Sequence, residues 1–416
     1  MYDIAVVIGR FQPLHFGHEA LLERALAVGR EVVVLVGSAH QAPSPRNPFS
    51  FADRAAMLTA SVPAPERHRL HLLPLRDYYD LARWARAAIR AVGGLSAPVP
   101  AVSDTGSGTD VGPAPAVVLV SHSKDVSADY RDIFPTWAHE SVPALKLASG
   151  VFAATRAVAP EPPPVATRAA PQRSDASTEA PSGIRRIDAS WVREQLFAAA
   201  PWLARGALTP EQALLPFETV CSPGVLRQLE SWLGTEAFQR VAADARALRA
   251  YRDAWANAPY APVFVTTDVL VTSGGHVLLV SRGKSPGRGL LALPGGFLEQ
   301  GERLFASACR EVHEETGLRL TAASARRCLR ASHIFDHPQR SQRGRTITHV
   351  FHLALDAEAH QALATPPGGL PAVAAGDDAA EAWWCPKCHL VGLEDRFFED
   401  HFIILDHFLS LLGLNA

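Results

Sequence analysis

The stretch DIAVVIGRFQPLHFGHEALLERALAVGREVVVLVGS, residues 3–38, contains two apolar runs separated by a turn and a helical pattern. The first run covers residues 3–9, the helical pattern covers 18–29 and the second run covers 31–38. A strand, a helix and a strand at this spacing predict a βαβ unit, and therefore a parallel sheet covered by helices. Val, Ile and Leu predominate in both runs, which is typical of strands buried on both faces. A further strand of the same sheet is predicted at 116–121, AVVLVS.

The bulk composition excludes several classes of protein. A chain of 416 residues predicts two or three domains. Its 40 basic and 42 acidic side chains leave a formal charge of −2, which gives no electrostatic reason to expect nucleic acid or an anionic membrane as a partner. No apolar run approaches the roughly 20 residues that span a bilayer, and the start of the chain lacks the basic stretch of a signal peptide. Five cysteines, an odd number, favour a reducing compartment, so we expect a cytoplasmic protein.

Changes of composition along the chain predict its organisation. Two segments, at about 93–116 and 159–183, are rich in Pro, Gly, Ser and Ala. Neither has enough apolar side chains to offset the entropy lost on ordering, so both are predicted to be disordered inserts. Residues 263–283 predict two strands around a Gly-Gly turn. The predicted segments are an N-terminal domain, 1–215, which includes both inserts, a helical connector, 216–258, and a C-terminal domain, 259–416.

The segment GRFQPLHFGH, residues 9–18, lies where the first predicted strand turns into the first helix. Open parallel sheets bind ligands at the carboxyl ends of their strands, which is where this turn falls. Gly9 permits a tight turn, and Gly17 lets the backbone approach a phosphate closely. His15 and His18 are three residues apart at a helix N-terminus, where both can face an anion. The segment therefore predicts a phosphate-binding site.

This segment resembles the HxGH nucleotidyltransferases, and in particular the nicotinamide mononucleotide (NMN) adenylyltransferases, whose motif is GRFQPxHxGH. Similar segments follow at 38–54, 74–84 and 121–137, although Ser121 stands where the family usually has Gly. The resemblance implies a Rossmann-like α/β domain in which His15 and His18 are catalytic. The further residues implied to bind nucleotide or substrate are Gly9, Arg10, Phe11, Gln12, Gly17, Gly37, Asn47, Arg54, Trp84, Lys124 and Asp125. Trp84 would stack on the nicotinamide ring, or else be an aromatic packed in the core.

Members of this family also carry a second motif, ISxTxxR, at the start of a late helix, where it holds the ATP phosphates. One candidate is FAATRAV, 152–158, which has Val158 in place of the arginine. The other is IDASWVR, 187–193, which keeps a guanidinium at Arg193. We favour the second candidate, which makes 159–183 an insert within the catalytic domain.

Two residues of IDASWVR qualify that interpretation. Ser190 supplies the hydroxyl of the motif, but a serine at this point is also an ordinary helix N-cap. Asp188 stands at the first serine position of the motif, where an acidic side chain weakens phosphate binding.

Residues 296–318, GFLEQGERLFASACREVHEETGL, predict a helix with one apolar and one acidic face. Glu311, Glu314 and Glu315 lie at i, i+3 and i+4 on the acidic face. Three carboxylates this close repel one another unless cations lie between them, and oxygen-rich clusters suit Mg²⁺ or Mn²⁺. The pattern therefore predicts a site for a divalent cation.

This segment matches the Nudix box, G-x5-E-x7-R-E-U-x-E-E-x-G-U, at every fixed position from Gly296 to Leu318. The resemblance implies an α/β/α Nudix domain that hydrolyses a nucleoside diphosphate linked to another group. Its implied metal ligands are Gly296, Glu311, Glu314 and Glu315, and Arg310 would orient the carboxylates.

The segments 289–297 and 334–351 resemble ADP-ribose pyrophosphatases of the type fused to NMN adenylyltransferases, although Leu291 stands where that group usually has Trp. The second of these segments places three basic side chains near the predicted site. They are Arg340, Arg343 and Arg345, and each is expected to bind the diphosphate.

The combined resemblance is to the bifunctional NMN adenylyltransferase/Nudix hydrolase family. It implies adenylyl transfer from ATP to NMN, giving NAD and pyrophosphate, and hydrolysis of ADP-ribose to AMP and ribose 5-phosphate. The implied partners are ATP, NMN and ADP-ribose, with Mg²⁺ or Mn²⁺ as cofactor and a homo-oligomer as the family's assembly. Two alternatives stay open: a Nudix hydrolase whose first domain is inactive or differently specific, and a sensor of NAD metabolites. The intact Nudix box and the lack of a DNA-binding segment disfavour the sensor.

Overall fold

The computed structural model describes residues 1–96, 115–122, 128–148, 184–186 and 188–413. The chain divides into two compact units, each with its own sheet. Unit 1 comprises Met1–His40 and Arg46–Gln239, and unit 2 comprises Gln41–Pro45 and Arg240–Ala416. This division falls within 216–258, whose role as a separate connector stays a prediction.

Unit 1 is built on a five-stranded parallel sheet with the strand order β3-β2-β1-β4-β5. Its strands are β1 (Tyr2–Gly9), β2 (Gly29–Val36), β3 (Leu70–Pro74), β4 (Val117–His122) and β5 (Ala138–Val142). Val6, Val33 and Leu119 are fully buried, as expected of strands covered on both faces. The parallel sheet predicted from the βαβ pattern is confirmed, and its central strand is β1.

The helices of unit 1 are α1 (Phe16–Val28), α2 (Phe51–Ser61), α3 (Leu81–Ser96), α4 (Ala128–Ile133), α5 (Ala189–Ala204), α6 (Pro210–Leu214), α7 (Pro223–Leu233) and the start of α8 (Glu236–Ala254). Single 3₁₀ helices cover Ala64–Arg69 and Leu215–Phe217. Helix α3 extends to Ser96, four residues into the first segment that we predicted to be disordered, although its buried residues Ala88 and Val92 lie before that segment. The rest of that segment up to Ala114, and all of 159–183, lie outside the described residues.

A short antiparallel ribbon precedes α5. It consists of β6 (Lys146–Ala148) and β7 (Ile184–Arg186), and Ala148 is paired with Ile184. The last residue of β6 and the first residue of β7 are therefore neighbours in the ribbon. Because both strands belong to unit 1, the Pro-rich segment between them is an insertion within this unit.

Helix α5 begins at the candidate second motif. Its N-cap is Asp188, whose Oδ1 accepts a hydrogen bond from the Ser190 N–H at 2.8 Å. The alternative that Ser190 is the N-cap is therefore not what the structure has, because the carboxylate two residues earlier takes that place and complements the helix dipole. Ser190 lies inside the first turn, and its hydroxyl is available for another contact.

Unit 2 contains a seven-stranded mixed sheet with the order β10-β9-β8-β13-β12, in which β11 also pairs with β8 and β14 with β9. The strands are β8 (Val263–Ser273), β9 (His276–Arg282), β10 (Leu291–Ala292), β11 (Gly295–Phe297), β12 (Leu329–Phe335), β13 (Arg345–Ala354) and β14 (Ala379–Pro386). The predicted strand pair around Gly274 and Gly275 is confirmed, and both glycines have positive φ angles.

Helices cover both faces of this sheet. They are α9 (Leu304–Thr316), α10 (Ala322–Cys328), α11 (Ala357–Ala362) and α12 (His401–Leu409), with a 3₁₀ helix at Lys387–Arg396. Val269 and Leu278 pack in one core with Val312 of α9. Leu279 packs in the other core, with Leu405 of α12. The α/β/α architecture is therefore confirmed. In the part of the chain that the structure describes, no helix has the length and apolarity needed to cross a bilayer.

Candidate functional site

The turn between β1 and α1 lies at the carboxyl edge of the unit 1 sheet. His15 is the N-cap of α1, and its Nδ1 accepts a hydrogen bond from the Gly17 N–H at 3.1 Å, so a ring proton of neutral His15 is on Nε2. The rings of His15 and His18 stack with centroids 3.8 Å apart, and Phe11 packs edge-on against His18 at 5.0 Å. Both imidazoles thus lie at the positive end of a helix, where a phosphate is favoured.

Distant segments hold this turn in place. The side-chain amide of Gln12 donates to the carbonyl of Phe49 and accepts from its N–H, both at 2.9 Å. The N–H of Phe16 donates to the carbonyl of Val220 at 2.8 Å. Residues from the loop before α2 and from the turn before α7 therefore fix the backbone around the two histidines.

Arg54 is 1% exposed and donates to the carbonyls of four residues. They are Gly37 at 2.6 Å, Arg10 at 2.9 Å, Ser50 at 3.1 Å and Ser38 at 3.3 Å. Burial lowers the pKa of this guanidinium to about 10, which still leaves it charged at neutral pH. Arg54 thus ties together the loops that follow β1 and β2, and a direct contact of Arg54 with nucleotide stays a prediction.

Arg193 reaches the turn from α5. Its Nη1 donates to the carbonyl of Gln12, and its Nη2 donates to the Ser190 hydroxyl at 3.0 Å. The first of these contacts joins positions 181 residues apart, so the structure brings the segment 188–193 to the GRFQP loop. The other candidate, 152–158, lies outside the described residues, as does Ile187.

Several positive charges surround Arg193. Burial and then the charge of Arg10 lower its pKa to about 10, Arg46 acts in the same direction, and Asp188 opposes the shift. The guanidinium stays protonated at neutral pH, so a partly buried positive charge lies near the charges of Arg10 and Arg46. An anion bound among them relieves this repulsion, which is what a triphosphate site requires.

The remaining predicted residues of unit 1 have different surroundings. A Cβ on Gly9 would lie 2.9 Å from the Phe11 ring, so glycine is needed for the ring to fold back there. Gly37 donates its N–H to the Gly9 carbonyl at 2.9 Å. Asn47 is buried, two residues before Phe49, whose backbone is hydrogen-bonded to Gln12. Trp84 packs in the core cluster of the sheet.

Trp84 has two aromatic neighbours, Tyr130 at 6.5 Å and Phe134 at 6.0 Å between ring centroids. These contacts match the core alternative, and stacking of Trp84 on a nicotinamide ring stays a prediction. Lys124 and Asp125 lie outside the described residues.

Sequence reasoning missed one side chain at this edge. His122, at the end of β4, is buried, and its Nδ1 lies 3.3 Å from the carbonyl of Val142. Its Nε2 is 3.7 Å from the point that a Cβ on Gly17 would occupy. The signal was present, because neighbouring parallel strands bring their carboxyl ends to one edge of the sheet.

In unit 2 the acidic residues of the Nudix box line α9. Glu311 and Glu315 are buried, whereas Glu314 is more exposed. Arg310 donates to Glu302 at 3.0 Å, to Glu311 at 2.9 Å and to Glu314 at 2.7 Å. This is the geometry expected of a residue that orients the carboxylates.

The residues around α9 fit a divalent cation. A Cβ on Gly296 would lie 2.5 Å from Glu311 Oε1, so glycine is what allows this carboxylate to approach the backbone. The Gly295 N–H donates to Glu315 Oε2 at 3.0 Å. Burial raises the pKa of Glu311 to about 7 and that of Glu315 to about 8, and a divalent cation bound beside them would offset the cost of burying their charges.

Among the described residues, no three His, Cys, Asp or Glu side chains already converge on one point. In this geometry Arg310 bridges Glu311 and Glu314. Glu311 already lies beside Gly296, so a cation held by all three glutamates would have to replace the contacts that Arg310 makes with Glu311 and Glu314.

A cavity beside these glutamates contains one of the three predicted arginines. Its lining includes Asp268, Arg282, Gly296, Glu315 and Arg343. Arg282 and Asp268 were missed by sequence reasoning, because neither belongs to a motif. Arg282 lies over the Phe398 ring at 4.2 Å, and Asp268 is buried and accepts a hydrogen bond from Thr348.

The other two arginines have different partners. Arg340 is 5% exposed and forms a two-pronged ion pair with Asp400, with both distances 2.8 Å. Arg345 donates to the carbonyl of Asp336. Of the three arginines, Arg343 lines the cavity, whereas a buried ion pair compensates the charge of Arg340. Contact of any of the three with the diphosphate stays a prediction.

The raised pKa values of Glu311 and Glu315 predict how metal-free protein responds to pH. The folded state binds these protons more tightly than the unfolded chain, so the stabilisation is fully present below the ordinary carboxyl pKa and is lost as pH rises through about 7 to 8. We expect the free energy of unfolding in chelator to fall by a few kcal/mol, on the order of 1.4 per pKa unit, between pH 6.5 and 9. The buried His401 has a pKa lowered to about 4 and stays neutral across this window.

Thermal unfolding at several pH values measures this effect. Adding Mg²⁺ or Mn²⁺ at pH 9 restores the lost stability, because a ligand that binds only the folded state stabilises it. A metal-free protein equally stable at pH 6.5 and 9, with no response to either cation, contradicts the prediction.

Comparison with known proteins gives two family matches. The sequence profile of the Cytidylyltransferase-like family matches residues 6–73, which include the histidine turn. The profile of the NUDIX domain matches residues 263–408, which include α9 and its glutamates. The two matches fall on the two sites described above.

Named relatives carry similar sequences. The nicotinamide/nicotinic acid mononucleotide adenylyltransferase of Acinetobacter baylyi is 32% identical over 145 residues, which are 35% of this chain and 69% of that protein. The ADP-ribose pyrophosphatase of Methanocaldococcus jannaschii is 35% identical over 118 residues, 28% of this chain and 59% of that protein. The chain thus spans less than two thirds of the second relative.

Solved structures match the whole chain. The crystal structure of a bifunctional NMN adenylyltransferase/ADP ribose pyrophosphatase from Francisella tularensis has a TM-score of 0.73 and 28% identity, and the match covers 99% of both chains. The same protein in complex with AMP and a manganese ion has a TM-score of 0.72 and 27% identity. The likeness extends over both units in the same order.

Proposed function

Because the chain belongs to the nicotinamide/nicotinic acid mononucleotide adenylyltransferase family and carries a Nudix domain, we propose that it is a bifunctional enzyme of NAD metabolism. Unit 1 transfers the adenylyl group of ATP to NMN, giving NAD and pyrophosphate. Unit 2 hydrolyses ADP-ribose to AMP and ribose 5-phosphate with a divalent cation, which we propose to be Mg²⁺. A cytoplasmic location, the lack of nucleic-acid and membrane partners, and a homo-oligomeric assembly stay predictions.

In unit 1, an oxygen of the NMN phosphate attacks the α-phosphorus of ATP. The bond from that phosphorus to the oxygen it shares with the β-phosphate breaks, and pyrophosphate leaves. Such transfers depend on positioning and charge stabilisation and need no protein nucleophile. His15 and His18 donate to the phosphate oxygens at the start of α1, and Arg193 neutralises the leaving pyrophosphate.

In unit 2, Glu311, Glu314, Glu315 and the backbone of Gly296 would hold the divalent cation, which polarises the diphosphate and activates water when bound. Arg310 keeps the carboxylates in position. Arg343 and Arg282 offset the negative charge of the diphosphate. A water oxygen bonds to one phosphorus as the bond from it to the bridging oxygen breaks, so that each product keeps one phosphate.

The contact of Arg193 with Gln12 is the observation that carries the assignment of unit 1. It brings a guanidinium from beyond the Pro-rich insert to the histidine turn, although the second motif is altered. In unit 2 the corresponding observation is the close approach of Glu311 to Gly296.

A substrate panel on the purified full chain tests the proposal. With Mg²⁺, NMN and ATP the protein should yield NAD and pyrophosphate in equal amounts, and with ADP-ribose it should yield AMP and ribose 5-phosphate. Failure to form NAD together with failure to bind ATP would refute the role of unit 1. Preferential cleavage of another dinucleotide or sugar nucleotide would replace ADP-ribose as the substrate of unit 2.

A second candidate function, hydrolysis alone, is favoured by one observation. Asp188 caps α5, so a carboxylate lies where the family places a phosphate-binding hydroxyl. The same panel separates the two candidates, because an enzyme with hydrolysis alone forms AMP from ADP-ribose and no NAD from NMN and ATP.

A further inference from the structure

Helix α8 and the residue that directly follows it contribute aromatic side chains to unit 2 from outside the matched Nudix segment, which begins at residue 263. Tyr251, in the last turn of α8, and Trp255, just after its end, both pack on Phe264 with ring centroids 5.4 Å and 5.7 Å away. Tyr251 also lies nearly parallel to Phe297, at 6.3 Å and 14° between planes. We call Tyr251, Trp255, Phe264 and Phe297 the aromatic surface.

This part of α8 is fixed to unit 2. Asp244 is 8% exposed, and its Oδ2 accepts a hydrogen bond from the Gly287 N–H at 3.0 Å. A buried carboxylate without a hydrogen-bond partner is unfavourable. The contact with Gly287 therefore fixes the position of α8 against the rest of unit 2. Tyr251 and Trp255 follow Asp244 by about two and three helical turns, so this contact fixes their position.

The aromatic surface begins at the proposed cation site. Phe297 directly follows Gly296, and its carbonyl accepts from Arg310 Nη2 at 3.3 Å. The guanidinium of Arg343 lies 5.0 Å from the centre of the Phe297 ring and also lines the cavity beside Glu315. The glutamates of the proposed cation site, the guanidinium of Arg343, which lies 4.0 Å from Glu399, and the aromatic rings thus follow one another.

Two members of the aromatic surface are open to solvent. Trp255 is 46% exposed and Phe297 is 38% exposed. Clustered aromatic side chains that stay in water forgo the free energy of burial, and such patches mark places where a ligand binds. Beside a diphosphate site, a planar base attached to that diphosphate is the ligand that offers a matching flat face.

We propose that the aromatic surface binds the nucleobase of the nucleoside diphosphate substrate by stacking, with Arg343 between the base and the diphosphate. This inference rests on the proposed hydrolase function of unit 2. It makes α8, a helix outside the Nudix fold, a determinant of substrate binding. Stacking uses the face of the base rather than its edge, so the surface selects for a base without reading which purine it is.

Steady-state hydrolysis of ADP-ribose by the full chain tests this role. Stacking of one base on an aromatic side chain predicts a rise in KM of about ten-fold or more in Trp255→Ala and in Tyr251→Ala, with kcat within about two-fold. Trp255→Phe keeps an aromatic face and should retain most of the affinity. Ile334→Ala removes an equally exposed apolar side chain on β12, outside the aromatic surface, and should change neither constant.

Product inhibition separates stacking from a general structural effect. AMP carries the base and ribose 5-phosphate does not, so Trp255→Ala should raise the inhibition constant of AMP and leave that of ribose 5-phosphate unchanged. An equal change for both products, or a lower kcat at constant KM, overturns the proposal. So does a concentration-dependent dimer that is lost in Trp255→Ala, since a second copy of the chain would then cover the surface.

A binding measurement keeps the test independent of hydrolysis. Stacking of AMP should quench the fluorescence of Trp255, so part of the AMP-dependent quenching of the wild type should be missing in Trp255→Phe. If the wild type does not cleave ADP-ribose, the proposed function fails while this measurement still decides the inference. Identical quenching in the two proteins overturns it.

Discussion

Replacing Arg193 with alanine should lower kcat/KM for NAD formation by about two to three orders of magnitude, the usual loss when one donor to transition-state charge is removed. The guanidinium is held against the histidine turn by Gln12 and Ser190, so its charge is already in position before pyrophosphate leaves. ADP-ribose hydrolysis should stay within about two-fold of the wild type, because Arg193 belongs to unit 1.

Two further variants control for charge and stability. Arg205→Ala removes an exposed arginine just after the same helix, and we expect NAD formation to stay near the wild-type rate. Arg193→Lys keeps the charge but loses the two-pronged geometry, so its rate should fall between those of the wild type and the alanine variant. Normal NAD formation by a folded Arg193→Ala protein would show that the second motif lies elsewhere in the chain.

Replacing Glu315 with glutamine should have the opposite selectivity. Outer contacts of a metal site are worth about 10- to 100-fold in affinity or activity, so loss of a ligand should lower hydrolysis of ADP-ribose by at least about 100-fold. Glutamine has the same shape and can still accept from the Gly295 N–H, so the backbone of the site is preserved. NAD formation should be unchanged.

The same variant has a second readout, which does not depend on activity. Glu315→Gln removes a buried carboxylate with a raised pKa, so the loss of stability between pH 6.5 and 9 in chelator should be smaller than in the wild type. Glu381→Gln, at an exposed position on β14, is the matched control and should alter neither activity nor pH response. Undiminished hydrolysis in Glu315→Gln rules out this glutamate as a metal ligand.

The sequence alone was sufficient to predict the features that depend on the local spacing of residue types. The apolar runs around residues 3–38 predicted the parallel sheet, and the spacing of Glu311, Glu314 and Glu315 predicted one acidic helix face. The segment 187–193 could be chosen because the hydroxyl of Ser190 and the guanidinium of Arg193 keep the spacing of the motif. Local spacing fixes which side chains share a turn of helix, so these predictions needed no knowledge of tertiary contacts.

The sequence was insufficient to predict the role of a side chain whose partner lies far away along the chain. Arg340 looked like a diphosphate ligand, but its charge is compensated by Asp400, which lies 60 residues away. Arg282 could be assigned to the cavity only from the structure, whereas the position of His122 at the end of a predicted strand was a signal that the sequence did contain. The capping role of Asp188 was missed for a different reason, since an acidic residue and a serine two positions apart compete for the same helix end.

Because Ala148 is paired with Ile184, the two ends of the intervening chain are fixed side by side, whatever its length. The geometry of the histidine turn therefore does not depend on that length. The entropy of closing a loop between two fixed neighbouring points grows only with the logarithm of its length, so residues can be gained or lost there at small thermodynamic cost. We therefore expect a change in the length of this segment to leave Arg193 beside Gln12. We accordingly expect that a reporter domain inserted between β6 and β7 would leave both reactions intact.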